Sequence, residues 1–165
     1  MATEAQIRNW LERSIEAIAA ERPQLRIDSI GERALCFRLG LHLSGLVLEN
    51  LIVDSEYNFD LSGPDSKRVP NIGRLAELAR TQTNNTLRLV IPDLILHRRT
   101  EIQTDNEAVI EVKMSDAADL DAQFAREKVI AIRSRYGYVH AIVVTLPRDA
   151  VNFARNCRIE FIPIT

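Results

Sequence analysis

Apolar residues recur along the first half of the chain at two different spacings, and each spacing predicts an element. Ile7, Trp10, Leu11, Ile15 and Ile18 follow one another every three or four positions, the interval that lines one face of a helix. Thr3 and Gln6 frame its start as a capping box, and Pro23 predicts its end near Glu21. Ser29-Ile30-Gly31-Glu32 is a second capping box, opening a helix through Ala34, Leu35, Phe37 and Leu41 that stops near Ser44 and Gly45. Residues 51–59 read instead as a strand, with Val53, Ser55, Tyr57 and Phe59 on one face. Prolines, glycines and charges over 60–73 predict a surface loop. A short helix over 74–80 and a polar turn, TQTNNT, over 81–86 follow.

The second half begins with two apolar runs, 87–99 and 107–113, around a polar turn over 100–106, most simply a β-hairpin. The acidic stretch 115–121 initiates a helix whose inner face is marked by Leu120, Phe124 and Ala131 and which ends near Tyr136 and Gly137. Residues 138–146 are almost continuously apolar, as expected of a strand inside a sheet covered on both sides. Pro147 stops that strand, a short helix over 149–154 follows, and 158–164 reads as an edge strand that tolerates Pro163. The order is α-α-β-β-β-α-β-β, with no repeat, low-complexity segment or linker. It predicts one α/β domain over 1–165, a mixed central β-sheet flanked by helices.

Composition narrows the class. With 165 residues, 46% hydrophobic and 27% charged, the chain has enough apolar material for one sizeable core. A net charge of −2 gives no global basic field for non-specific nucleic-acid binding, although it leaves room for a local basic cleft. Cys36 and Cys157 lack metal-ligand spacing and read as reduced core residues of a cytoplasmic protein. No signal peptide is expected at the start, and Arg38, His42 and Glu49 interrupt the most apolar stretch, so no membrane partner is expected. Of the 21 basic residues only Lys67, Lys113 and Lys128 are lysines, so each lysine stands out against an arginine-rich background.

The polar exceptions within the hairpin carry the candidate chemistry. Asp93 follows Pro92 inside the first run, and Glu111 and Lys113 flank Val112 at the end of the second. Strand alternation turns Glu111 and Lys113 to one side and Val112 to the other, and Asp93 meets them if the hairpin is in register. A buried carboxylate costs several kcal/mol unless it is paired or bound to a cation. Mg²⁺ takes hard oxygen ligands at ~2.0–2.1 Å, typically one or two carboxylates with water and phosphate. Asp93, Glu111 and the backbone carbonyl of Val112 would supply such ligands. Lys113 beside them, its pKa depressed by the cation and by burial, would orient or deprotonate an attacking water, or neutralise developing charge.

Pro92-Asp93 followed by Glu111-Val112-Lys113, each at the end of an apolar strand with a helix and a further strand after them, resembles the PD-(D/E)XK nuclease superfamily. The resemblance covers most of the chain. It implies a restriction-endonuclease-like fold and Mg²⁺-dependent hydrolysis of a phosphodiester in nucleic acid, most simply DNA, with Mn²⁺ as a substitute. It further implies catalytic roles for Asp93, Glu111 and Lys113, with Glu32 as the matching acid on the helix before the sheet. Lys128 matches a lysine of the following helix and is expected to bind substrate. A homodimer is plausible because double-strand cleavage needs two sites.

Plainer readings stand beside these. Asp93, Glu111 and Lys113 would also make a structural ion pair at a hairpin end. Glu32 would also serve as the capping-box partner of Ser29. Lys128, near Phe124 on the same helix, would also be a side chain snorkelling from the core edge. Arg98 and Arg99 lie past the motif, where a basic pair usually marks a solvated end. His42, His97 and His140 share no ligand spacing, and packing is the default for Tyr57. The alternative function is a nuclease-fold module that binds nucleic acid or protein without cutting.

Overall fold

The computed structural model describes residues 1–21, 29–55, 91–98, 105–149 and 151–164. Helices α1 (Glu4–Ala20) and α2 (Glu32–Ser44) precede strands β1 (Ile52–Ser55), β2 (Leu94–His97) and β3 (Asn106–Met114). Helix α3 (Asp119–Tyr136), strand β4 (His140–Leu146), the short helix α4 (Phe153–Asn156) and strand β5 (Arg158–Phe161) complete the order. The expected loop over 60–73, the helix over 74–80, the turns over 81–86 and 100–104, Tyr57, Lys67 and Arg99 lie outside the described residues.

The strands form one open, mixed sheet in the order β1-β2-β3-β4-β5. Among the described strands only β3 and β4 run parallel, and α3 is the crossover between them. Alternation divides the sheet into two faces. Leu94, Leu96, Ala108, Ile110, Val112 and Met114 point into a core with α1, α2 and Phe153 of α4. Ile95, Val109, Ala141 and Val143 point the other way, under Ala125, Val129, Ile132 and Tyr136 of α3. The protein is therefore a three-layer α/β domain, with β3 and β4 buried on both faces.

Local signals explain the helix ends. The side chain of Thr3 accepts from the Gln6 backbone N–H, and Gln6 reciprocates on the Thr3 N–H, so the first capping box is intact. Helix α3 ends on Gly137, whose φ of 69° suits glycine and few other residues. Gly40 has a packing reason: a Cβ there would lie 2.9 Å from Cδ2 of Leu94, so a larger residue would force that side chain to shift where α2 meets β2.

Several expectations fail for physical reasons. Helix α2 takes Gly31 as its N-cap, with no side-chain cap, and Glu32 is its first residue rather than the closing member of a capping box. Its buried stripe is Leu35, Cys36, Leu39 and Leu43, whereas Phe37 and Leu41 face outward, 60% and 49% exposed. In α3, Leu120 is 61% exposed, and the buried stripe of the helix begins only at Ala125. Pro92 and Asp93 precede β2 rather than lying within a strand, since proline offers no N–H to a ladder. Among the described residues no helix is long and apolar enough to cross a membrane.

Candidate active site

The site forms where β3 outruns its neighbour. Pairing between β2 and β3 ends at Leu94 opposite Ile110, yet β3 continues to Met114. Beyond that point Val112 and Met114 turn their N–H groups to the edge that β2 has left. Two carboxylates replace the missing strand. Oδ2 of Asp93 accepts the Val112 N–H at 2.8 Å, and Oε2 of Glu32 accepts the Met114 N–H at 3.1 Å. A charged acceptor on a backbone N–H makes a stronger bond than a neutral one. The tertiary partner thus outcompetes the local capping box for Glu32.

On the α3 side of the same stretch stand Glu111 and Lys113. Glu111 is 2% exposed. Its Oε1 accepts from Nζ of Lys128, on α3, at 2.7 Å, and Nζ of Lys113 lies 3.5 Å from the same oxygen. Its Oε2 is buried and has no hydrogen-bond partner among the described residues. Burial and then the neighbouring Asp93 charge push the Glu111 carboxyl up to about 7, against the opposing pull of Lys128 and Lys113. Nζ of Lys113 donates to Oε1 of Glu32 at 3.0 Å and to the carbonyl of Val112 at 2.9 Å. Burial lowers the Lys113 pKa, but Glu111, Glu32 and Asp93 together outweigh it and hold the amine above its ordinary value. The depressed lysine expected from sequence is therefore not found in the metal-free cluster. Lys113 is an ammonium at neutral pH.

The structure thus gathers Asp93, Glu111, Val112, Lys113, Glu32 and Lys128 around the end of β3, with different partners for each acid. Glu32 contacts Lys113 and the backbone rather than the other acids, and among the described residues no three His, Cys, Asp or Glu side chains group as a metal cluster. The donor set nevertheless suits a hard cation. Glu111 offers a bare buried oxygen, Asp93 stands close enough to raise the Glu111 pKa, and the Val112 carbonyl adjoins them, held in the meantime by Lys113. Three carboxylates (Asp93, Glu111, Glu32) against two ammonium groups (Lys113, Lys128) leave one negative charge when all are ionised. One or two carboxylates with water and phosphate are what Mg²⁺ ordinarily takes.

The remaining basic and histidine candidates have other partners. Arg98 pairs with buried Glu107 at 2.8 Å. Nε2 of His97 meets Oδ2 of Asp54 at 2.7 Å, His42 meets Glu21 at 2.9 Å, and His140 meets the Ala2 carbonyl at 3.0 Å. Sequence reasoning missed a second polar group on the same sheet face. Register places Glu111, Val143 and Glu160 in one row across β3, β4 and β5, and Lys113, Thr145 and Arg158 in the next. Glu160 holds Arg126 of α3 through both oxygens. The alternation of Arg158 and Glu160 around Ile159 was the available signal, but only the register reveals that it faces the site.

No family model, curated protein or solved structure matches the chain.

Proposed function

We propose that the protein is a divalent-metal-dependent nuclease of restriction-endonuclease-like fold, hydrolysing phosphodiester bonds in DNA. The observation that carries this reading is the bare, buried Oε2 of Glu111 beside a second carboxylate, Asp93. A buried carboxylate oxygen without a partner costs several kcal/mol in a purely structural role, and a cation removes that cost. Asp93, Glu111 and the Val112 carbonyl would hold Mg²⁺ or Mn²⁺. The ion would supply stabilisation of charge on the phosphate and a lowered pKa for water.

The chain's own residues divide the remaining work. Lys113, an ammonium anchored on Glu32 and the Val112 carbonyl, neutralises charge that grows on the phosphoryl oxygens. Held as an ammonium by the surrounding carboxylates, it is suited to orient the attacking water and stabilise charge. Water forms the new P–O bond and gives its proton to solvent, and the leaving oxygen takes a proton from solvent as its bond to phosphorus breaks. Glu32 fixes Lys113 and the end of β3 together, so it is a positioning residue. Lys128 neutralises Oε1 of Glu111 and leaves Oε2 for the cation. The two free cysteines fit a reducing, cytoplasmic setting, and a homodimer would present two sites to a duplex.

Plasmid incubated with Mg²⁺ or Mn²⁺ tests the reading. Wild type should nick or linearise it, whereas Asp93→Asn and Lys113→Met should not. Equal cleavage by all three, or none with either metal, removes the enzymatic reading and leaves the binding module.

A further inference from the structure

A cavity of about 600 Å³ opens beside Lys113, between the first turns of α3 and the ends of β4 and β5. Its volume lies within the roughly 300–1,000 Å³ of ordinary small-ligand sites. Lys113 is a wall it shares with the candidate active site, and Arg126, Arg158, Glu160, Thr145, Gln123 and Asp119 are among the residues that line the rest. Rows in register across the sheet put Arg158 two strands from Lys113, with Thr145 between them. Neighbouring strands lie ~4.8 Å apart, so the backbone positions of Lys113 and Arg158 stand roughly 10 Å from each other, their side chains on one face.

Arg126 is engaged in a way that suggests what the cavity holds. Its Nε lies 3.1 and 3.2 Å from the two oxygens of Glu160, and its Nη2 lies 2.8 Å from Oε2. Arg158 stands 3.8 Å from the same Oε2. A planar guanidinium forked onto a carboxylate has the geometry with which arginine grips a phosphate. The pair is partly solvated, Arg126 being 40% and Glu160 27% exposed, so exchanging partners costs little. Glu160 thus occupies the place of an anion between Arg126 and Arg158, one row from Lys113 on the same sheet face.

Resting on the nuclease reading, we infer that this cavity receives the nucleotide adjoining the scissile phosphate. Arg126 and Arg158 bind its backbone phosphate once Glu160 releases them. Glu160 acts as an internal competitor that keeps the cavity closed to weaker anions. The occupant is a nucleic-acid strand, because one open cavity joins Arg126 and Arg158 to Lys113 at the candidate active site, two strands away.

The test is fluorescence anisotropy with a 5′-labelled twelve-nucleotide oligo(dT), in EDTA so that no strand is cut, at several salt concentrations. Arg126→Ala and Arg158→Ala should each weaken binding about tenfold and lower the salt slope by about one ion. Glu160→Gln should tighten binding several-fold, and Arg155→Ala, at an exposed position of α4, should change nothing. Arg126→Lys should recover charge without the fork and bind between Ala and wild type. Unchanged binding in Arg126→Ala and Arg158→Ala, unchanged or weaker binding in Glu160→Gln, or no binding by wild type overturns the inference. Normal cleavage with arginine-independent binding sinks the cavity assignment alone. Arginine-dependent binding without cleavage under any metal sinks the hydrolytic reading alone and upholds the cavity as a strand-binding site.

Discussion

Replacing Glu111 by Gln keeps the side chain's volume and removes a buried carboxylate that has one bare oxygen. In the metal-free protein that carboxyl titrates at about 7 instead of its ordinary 4.5, chiefly because it is buried and secondarily because Asp93 is near. A folded-state pKa above the unfolded one means that the folded chain keeps a proton that the unfolded chain gives up. Stability from this group is therefore present below about 4.5 and is lost as pH rises toward about 7. Each pH unit of that interval is worth about 1.4 kcal/mol, so the whole interval amounts to about 3 kcal/mol. Urea denaturation in EDTA from acid to mildly alkaline pH reads it directly. The stability difference between wild type and Glu111→Gln should shift in favour of the Gln protein by up to about 1.4 kcal/mol per pH unit in that window. Lys128 loses its carboxylate partner in the variant, which adds an offset but not this slope. Mg²⁺ at about ten times its dissociation constant should then stabilise wild type by about 1.4 kcal/mol and leave the variant unmoved. A stability difference that is flat with pH, or equal stabilisation of both proteins by Mg²⁺, would refute the reasoning.

Further outcomes follow from the same contacts. Asp93→Ala should destabilise the fold by about 1–3 kcal/mol, because the Val112 N–H loses its acceptor, whereas Asp93→Asn keeps an acceptor oxygen and should lose cleavage with a smaller change in melting temperature. Lys113→Met should lower single-turnover cleavage by about 10²–10⁴-fold, and Lys113→Arg should not restore it, since a planar fork does not reproduce the amine's bonds to Glu32 and the Val112 carbonyl. Gly40→Ala should cost about 1–3 kcal/mol by thermal denaturation, because its Cβ would press on Leu94, and trimming Leu94 to Val in the same chain should recover part of the loss.

How far the sequence reached depended on the range of the interaction concerned. Helix α1 was legible because its capping box and apolar stripe are both local, and β4 because a strand buried on both faces must be apolar throughout. Glu111 and Lys113 were legible as a same-face pair because alternation is a property of one strand. Glu32 was found, but its local pattern pointed to a cap, while its partners, Lys113 and the Met114 N–H, lie far along the chain. Phe37, Leu41 and Leu120 sit at helical spacing yet face outward, since spacing alone does not say which stripe meets the sheet. Arg126, Arg158 and Glu160 were missed because they become a group only when β5 docks in register on β4 and α3 lies across both. The bare oxygen of Glu111 could not be read from sequence at all, because it depends on where Lys128 and Lys113 reach and where they do not.

The central claim is that Asp93 and Glu111 share a divalent cation. Crystals of the wild-type protein soaked in MnCl₂, with data collected near the manganese absorption edge, test it most directly. The account predicts an anomalous peak joining Oε2 of Glu111, the Asp93 carboxylate and the Val112 carbonyl, absent from crystals of Asp93→Asn. An ordered site with no peak there, and Glu111 still bonded only to Lys128 and Lys113, would contradict it.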